Sequence, residues 1–159
     1  MEQKSGPLKG IKAVTCSTAQ AGTVPYMLMA DLGAEVIKIE VPGVGDSSRK
    51  DGELKGEISS FFETNNRGVK SLTLNLKSKE GRNILYQMIK DADIFGQNFR
   101  PGAAEKNGFG YEDLKKLNPA LVYVSVSGYG QKGPHSDLPG TDAVGQALGG
   151  IAEAYAAPS

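Results

Sequence analysis

Four cationic side chains follow runs of β-prone residues, and they are the first residues whose positions indicate chemistry. If those runs form parallel strands, their carboxyl ends meet at one edge of a sheet and the cations converge there. A cationic rim beside loop N–H groups and a helix N-terminus suits a phosphorylated ligand. Solvated surface charges are the commoner alternative. The four residues are Lys77, Arg100, Lys106 and Lys132.

The loop Asn98–Gly102, with the sequence NFRPG, points to a ligand more specifically. Pro101 favours extended backbone at Arg100 and suits the first position of a following helix. Asn98 and Phe99 are then expected at the lip of a strand, where an amide and an aromatic face could hold an adenine or a pantetheine chain. A turn-forming Asn98 and a core Phe99 are the alternative.

The only histidine, His135, and the nearby Asp142 do not form an acid–base pair by spacing. His135 lies in a polar loop bounded by proline and glycine. Asp142 follows Gly140-Thr141, where it could cap the N-terminus of a helix. No second acidic group or histidine stands at helical spacing from either residue, so neither general acid–base nor triad chemistry has local support.

Composition excludes several classes of function. The 159 residues carry eighteen basic and eighteen acidic side chains, so the basic excess of a nucleic-acid or anionic-membrane surface is missing. Cys16 is the single cysteine, and no Cys/His spacing indicates a metal. The first ten residues lack the apolar core of a signal peptide, and we expect a cytoplasmic protein.

Strand-like and helical segments alternate along the chain with short connections. This order predicts an α/β fold, a Rossmann-like and mostly parallel sheet flanked by helices, in one domain over residues 1–159. Predicted strands cover 11–16, 35–40, 70–76, 93–99 and 121–128. Predicted helices cover 23–33, the amphipathic part of 77–92, 111–118 and 142–154.

The strand-end loops carry no nucleotide fingerprint. CSTAQAG, after the first strand, contains only Gly22 where GxGxxG would need three glycines. GVGD at 43–46 follows the second strand and does not complete the pattern, and no Walker A sequence occurs. A dinucleotide site of the usual type is therefore disfavoured.

Several long motifs resemble family III CoA-transferases, the CaiB/BaiF family. They occur in family order from Gly10 to Gly150, beginning with GIKAV and AQAG. The others are LMADLGAEVIKIEVPGVGDSSR, NNRGVKSLTLNLKSKEGRNIL, ADIFGQNFRPGAAEKNGFGYEDLKKLNPALVYVSVSGYGQKGP and LPGTDAVGQALGG.

The resemblance implies a domain that binds coenzyme A or an acyl-CoA, with no metal. Lys106 falls where some members carry an arginine that reaches a phosphate, and a lysine still supplies a point charge there. Val41 stands where some members have another basic residue, so one cationic contact is missing or comes from elsewhere. The residues implied to line the coenzyme are Gln20, Ala21, Leu74, Lys77, Asn98, Phe99, Arg100 and Lys106.

The resemblance also implies a covalent mechanism in which an aspartate carboxylate attacks the acyl-CoA thioester. The family's nucleophile follows the helix that begins near Asp142, so it would lie beyond Ser159, and Asp142 matches a supporting position. No residue of this chain is then assigned as catalytic. We expect the amino-terminal part of a longer enzyme, inactive alone, whose complete form is an interlocked homodimer acting on an acyl-CoA and a carboxylic acid.

Two alternatives remain open. The related α-methylacyl-CoA racemases carry a histidine directly before the matching aspartate, whereas this chain has Thr141 there and His135 lies too early. The transferase is favoured over the racemase for that reason. The other alternative is a module that binds CoA without catalysis.

Overall fold

A five-stranded parallel sheet forms the centre of the fold, in a computed structural model that describes residues 5–52, 54–56 and 58–155. The strand order is β5-β2-β1-β6-β7, and every pairing is parallel. The predicted α/β class is confirmed. The strands are β1 (Lys12–Thr15), β2 (Glu35–Glu40), β5 (Lys70–Thr73), β6 (Ile94–Gln97) and β7 (Val122–Ser125). A separate antiparallel pair is formed by β3 (Leu54–Lys55) and β4 (Ile58–Ser59).

The order of the strands creates a crevice at the centre of the sheet. The chain begins at β1 and runs outward through β2 to β5, then returns to place β6 on the other side of β1. The loops that leave β1 and β6 therefore diverge to opposite sides, and ligands bind at such switch points in open α/β sheets.

Helices cover both faces of the sheet and close two apolar cores. On one face Tyr26 and Ala30 pack with Ala13 and Val36. On the other face Leu85, Ile89, Phe95, Leu114 and their neighbours form the larger core. The helices are α1 (Ala19–Asp31), α2 (Ser60–Asn66), α3 (Lys79–Lys90), α4 (Ala103–Lys106), α5 (Tyr111–Lys115), α6 (Asp142–Leu148) and α7 (Ile151–Ala154), with a 3-10 helix at Ser47–Lys50.

Two helix predictions are corrected by the backbone. Helix α1 begins at Ala19, four residues before the predicted start, so Pro25 lies inside the helix and not at its entry. The predicted helix over 142–154 is two helices, because Gly150 adopts a left-handed φ of 76° that interrupts the helical path.

The segment from Ser127 to Tyr155 lies outside both cores. Neither α6 nor α7 has a buried residue. Large apolar side chains, among them Leu148 and Tyr155, are exposed there. Among the described residues, no helix has the length and apolar character needed to cross a membrane.

Candidate functional site

A cleft opens at the carboxyl edge of the sheet, where β1, β2, β5 and β6 end. Its volume is about 230 Å³, and mostly apolar atoms line it. An apolar lining with a few polar groups is usual for sites that bind small organic ligands. The lining residues are Cys16, Thr18, Ile39, Glu40, Val41, Gly45, Asp46, Leu74, Asn75, Leu76, Lys77, Phe99, Asn107 and Phe109.

Lys77 stands at one wall of the cleft, in the short connection between β5 and α3. Its backbone N–H donates to Asn75 Oδ1 at 3.1 Å, and Ser78 caps α3 through the N–H of Gly81. Arg82 Nη1 donates to the carbonyls of Leu76 at 3.2 Å and Lys77 at 2.8 Å. The backbone is thus held from two sides while the Lys77 side chain is exposed.

Phe99 supplies an aromatic wall. It is half-buried and its ring centroid lies 5.8 Å from that of Phe109, which in turn contacts Phe95 at 6.4 Å. The Phe99 N–H donates to Gln97 Oε1 at 2.7 Å. Phe99 therefore joins the core and the cleft, and the two sequence interpretations of this residue are compatible.

Asn98 bridges the two loops that diverge at the centre of the sheet. Its Oδ1 accepts from the N–H of Thr18 at 2.9 Å, and its Nδ2 donates to the Thr18 carbonyl at 2.8 Å. Gly22 lets α1 approach this amide, since a Cβ there would lie 2.6 Å from Asn98 Nδ2. The Asn98 amide is directed at protein backbone here, and its contact with a ligand stays a prediction.

A buried ion pair lies beneath the loop that follows β2. Lys38 and Asp46 form a short hydrogen-bonded pair with side chains 2% and 0% exposed. Lys38 Nζ also donates to Asn66 Oδ1 at 2.7 Å, while Asp46 Oδ1 accepts from the N–H and hydroxyl of Ser48 at 2.9 and 2.8 Å. With these partners each charge is compensated inside the protein.

The pKa directions of the pair agree with that geometry. Burial lowers the pKa of Lys38, and the carboxylate of Asp46 opposes the change. Burial also disfavours ionised Asp46, but hydrogen bonds from Lys38 and Ser48 outweigh it and lower the carboxyl pKa. Asp46 is therefore a carboxylate at neutral pH with its lone pairs already engaged, which makes it a poor nucleophile.

Glu40 forms a second ionic contact beside the first. Arg49 donates to it through Nε at 2.8 Å and Nη2 at 2.7 Å, and Ser71 Oγ and the N–H of Asp46 add two further hydrogen bonds. Burial would raise the carboxyl pKa of Glu40, but these donors bring it to about 2. The Arg49 guanidinium lies 3.8 Å from the ring centroid of Phe62, which adds a cation–π contact.

The sequence-predicted coenzyme residues divide into three groups by their place relative to the cleft. Leu74, Lys77 and Phe99 line the cleft, and Val41 contributes an exposed apolar side chain where a basic one was expected. Asn98 lies beside the cleft against Thr18. The remaining four do not line it and are exposed, two at the start of α1 and two near α4: Gln20, Ala21, Arg100 and Lys106.

The residues of the 127–142 segment do not line the cleft. Lys132 and His135 are exposed, and the His135 ring lies 5.9 Å from that of Tyr129. Asp142 does not cap α6: Thr141 holds the N-cap position, and Asp142 Oδ2 accepts from Gln146 Nε2 at 2.6 Å. Within the described part of the chain, no group of three or more His, Cys, Asp or Glu side chains could hold a metal ion.

Sequence reasoning missed the Lys38–Asp46 and Glu40–Arg49 pairs. The available signal was KIE inside an otherwise apolar strand, since a lysine and a glutamate on a strand buried on both faces need partners. The partners follow in GDSSR, on a loop whose polar composition indicated only exposure to solvent.

Comparisons with known proteins agree with the α/β fold described above. The sequence model of CoA-transferase family III matches residues 8–159. Acetyl-CoA:oxalate CoA-transferase of Acetobacter aceti is 42% identical over 96% of this chain and 39% of its own length, and human succinyl-CoA:glutarate CoA-transferase is 40% identical over 91% and 33%. A crystal structure of a CaiB/BaiF family protein from Brucella suis matches with a TM-score of 0.87 at 37% identity, over 93% of this chain and 40% of that one. This chain thus spans less than half the length of these relatives.

Proposed function

The chain belongs to CoA-transferase family III, and from this membership we propose that its carboxyl-edge cleft binds the CoA part of an acyl-CoA. The observation that carries the proposal is the convergence of Leu74, Lys77 and Phe99 on one apolar cleft, although they come from two strands on opposite sides of β1. We propose that residues 1–159 form one CoA-binding domain.

The cleft suits the two chemical parts of CoA. Its apolar wall, with Phe99 and Leu74, can pack against the adenine or the pantetheine chain. Lys77 lies at the wall, and Arg100 and Lys106 are exposed on the loop and helix after β6. These cations, together with the capped N-terminus of α3, provide contacts for the coenzyme's phosphates.

The test of this site is a calorimetric titration with CoA. Lys77→Ala combined with Arg100→Ala removes two charges, and each charged hydrogen bond contributes about 1.5 kcal/mol or more, so we expect Kd to rise at least about 100-fold. Lys90→Ala is the matched control, because Lys90 is exposed at the opposite end of α3 and should leave Kd unchanged. An unchanged Kd for the double variant would remove the cationic contacts from the proposal.

We propose that the complete protein transfers CoA between an acyl-CoA and a carboxylic acid through an aspartate beyond Ser159. The carboxylate attacks the thioester carbonyl and expels CoA thiolate, leaving a mixed anhydride. The thiolate then attacks the aspartyl carbonyl, which releases the first acid and forms an aspartyl-CoA thioester. The incoming carboxylate repeats these two steps in reverse order, so the aspartate is regenerated and a new acyl-CoA leaves.

The substrates of this reaction are proposed from chemistry and from relatives. The two relatives act with acetyl-CoA and oxalate or with succinyl-CoA and glutarate, so a panel of acids should begin with these. Reading the source gene past the codon for Ser159 tests the nucleophile. A following aspartate flanked by glycine supports the proposal, and a stop codon contradicts it.

A second candidate is a module that binds CoA without turnover, which applies if no aspartate beyond Ser159 supplies the nucleophile. Glu40 and Asp46 are both engaged in ion pairs and hydrogen bonds, so neither is available as a nucleophile. Binding of CoA with no transfer by the complete protein would support this candidate. We also propose that the complete protein is an interlocked homodimer and lies in the cytoplasm. The balance of eighteen basic and eighteen acidic residues supports the proposal that it has no nucleic-acid or membrane partner.

A further inference from the structure

Helix α1 begins at a residue with an unusual backbone conformation. Ala19 has a φ of 55°, the only positive φ of a non-glycine residue in the described ranges. The left-handed region costs an L-residue roughly 1–2 kcal/mol, so the surrounding structure must hold Ala19 there. The residue lies between Thr18, which lines the cleft, and Gln20 and Ala21 in the first turn of α1.

Two side chains hold the turn over residues 17–19 from opposite directions. From the β6 side, Asn98 engages both the N–H and the carbonyl of Thr18. From the β2 side, Asp46 Oδ1 accepts from the N–H of Ala19 at 3.4 Å, a long hydrogen bond. Asp46 also lines the cleft, so this contact joins its two walls.

Asp46 can act as a fixed support because it is itself immobilised. Lys38 holds one carboxylate oxygen, and the other accepts from Ser48 as well as from Ala19. Asn66, at the end of α2, accepts from Lys38 and fixes the ammonium group in turn. The buried side chains of Asn66, Lys38 and Asp46 therefore connect the interior of the sheet to the strained turn at Ala19.

We propose that Asp46, held by Lys38, is a positioning residue for coenzyme binding, because it keeps the strained turn at Ala19 in the geometry that forms the cleft wall. The inference rests on the proposed function for its link to CoA. The claim that Asp46 holds the turn at Ala19 concerns the protein alone and can be measured without any ligand. Asp46 needs no contact with the coenzyme in this role.

The test combines hydrogen exchange without ligand and calorimetric titration with CoA. Asp46→Asn preserves size but removes the charge. Lys38→Met with Asp46→Asn is the second variant, since it leaves no unpaired ammonium group in the interior if the single variant fails to fold. We expect amide exchange over residues 17–22 to rise about tenfold, with core amides of α3 and β6 unchanged, and Kd for CoA to rise about tenfold. Asp137→Asn, at an exposed position, is the matched control.

Ala19→Gly separates positioning from general stabilisation. Glycine adopts φ near 55° without the steric cost, so it should restore part of the CoA affinity when added to either Asp46 variant. A role in overall stability alone would lower the unfolding temperature but would give no such rescue.

Three results would overturn the inference: unchanged exchange over 17–22, faster exchange with an unchanged Kd, or no rescue by Ala19→Gly. If the wild-type chain does not bind CoA, the proposed function fails by itself. Exchange at 17–22 then decides whether Asp46 holds the turn.

Discussion

Glu40 and Asp46 are carboxylates that line the carboxyl-edge cleft, and their hydrogen bonds hold its walls together. Glu40 accepts four hydrogen bonds from three residues, and Asp46 pairs with Lys38 in the interior. Removing one partner of such a pair leaves an uncompensated charge, which costs more than the pair contributes when intact. The residue-scale consequence is a site whose shape depends on ionisation.

Acid should therefore weaken the fold through Glu40. Its pKa is about 2 in the folded protein and 4.5 ordinarily, so its contribution is complete above pH 4.5 and is lost as pH falls toward 2. With a discount for the partly exposed Arg49, this contribution is about 2 kcal/mol. Urea unfolding between pH 5 and pH 2 should show a loss in the wild type that is about 2 kcal/mol larger than the loss in Glu40→Gln, in which the lowered pKa of Asp46 still contributes.

Glu35→Gln is the matched control for that series. Glu35 also pairs with a lysine, Lys70, but both side chains are largely exposed and the pair is screened by solvent. This variant should follow the wild-type pH dependence closely. Parallel curves for the wild type and Glu40→Gln would contradict the assignment of Glu40.

At the scale of elements, α1 packs closely against β6. Gly96 lies in the middle of β6, and a Cβ there would lie 1.3 Å from Tyr26 Oη on α1. The glycine thus lets a large buried side chain of the helix reach the strand. Thr15, at the end of the neighbouring strand β1, donates through its hydroxyl to the Gly96 carbonyl, and so does the thiol of Cys16. Strands β1 and β6 and helix α1 therefore meet at Gly96.

Gly96→Ala should consequently destabilise the fold. Insertion of a methyl group into a packed core costs typically 1–3 kcal/mol, and the overlap here is with a ring, so we expect at least about 2 kcal/mol. Thermal or urea unfolding measures it. Tyr26→Phe added to Gly96→Ala should recover part of the loss, because it removes the closest atom.

Gly145→Ala is the control for that substitution. A Cβ at Gly145 meets no atom within 4 Å, and the residue is helical and exposed, so alanine should be neutral or slightly stabilising there. Equal stability of Gly96→Ala and the wild type would show that α1 and β6 can separate without cost.

The elements were more predictable from sequence than the site. Short β-branched and apolar segments, one of them alternating, identified all five sheet strands, and β2 begins and ends where predicted. Helix α2 and the turns of 41–59 were not predicted, since their polar sequence has no such period. Lys38 and Asp46 could not be paired from sequence, because only the loop's return over β2 brings them together.

For the whole molecule, one edge of the sheet gathers the chemistry and the segment after β7 stands apart from the cores. Loops after β1, β2, β5 and β6 all contribute to one cleft at the carboxyl edge. Residues 127–155, which include His135 and Asp142, contribute no lining residue to it. The cleft that we propose for the coenzyme is thus built by the doubly wound sheet alone.

The measurement that tests this account most directly is an NMR titration of the isotopically labelled chain with CoA. We predict saturable shifts of backbone amides in the loops at 17–22, 41–46, 75–77 and 98–100, with the amino-edge amides at Lys12, Glu35 and Asp93 unmoved. Shifts confined to the amino edge, or none at all at millimolar CoA, would contradict the assignment of the carboxyl-edge cleft as the coenzyme site.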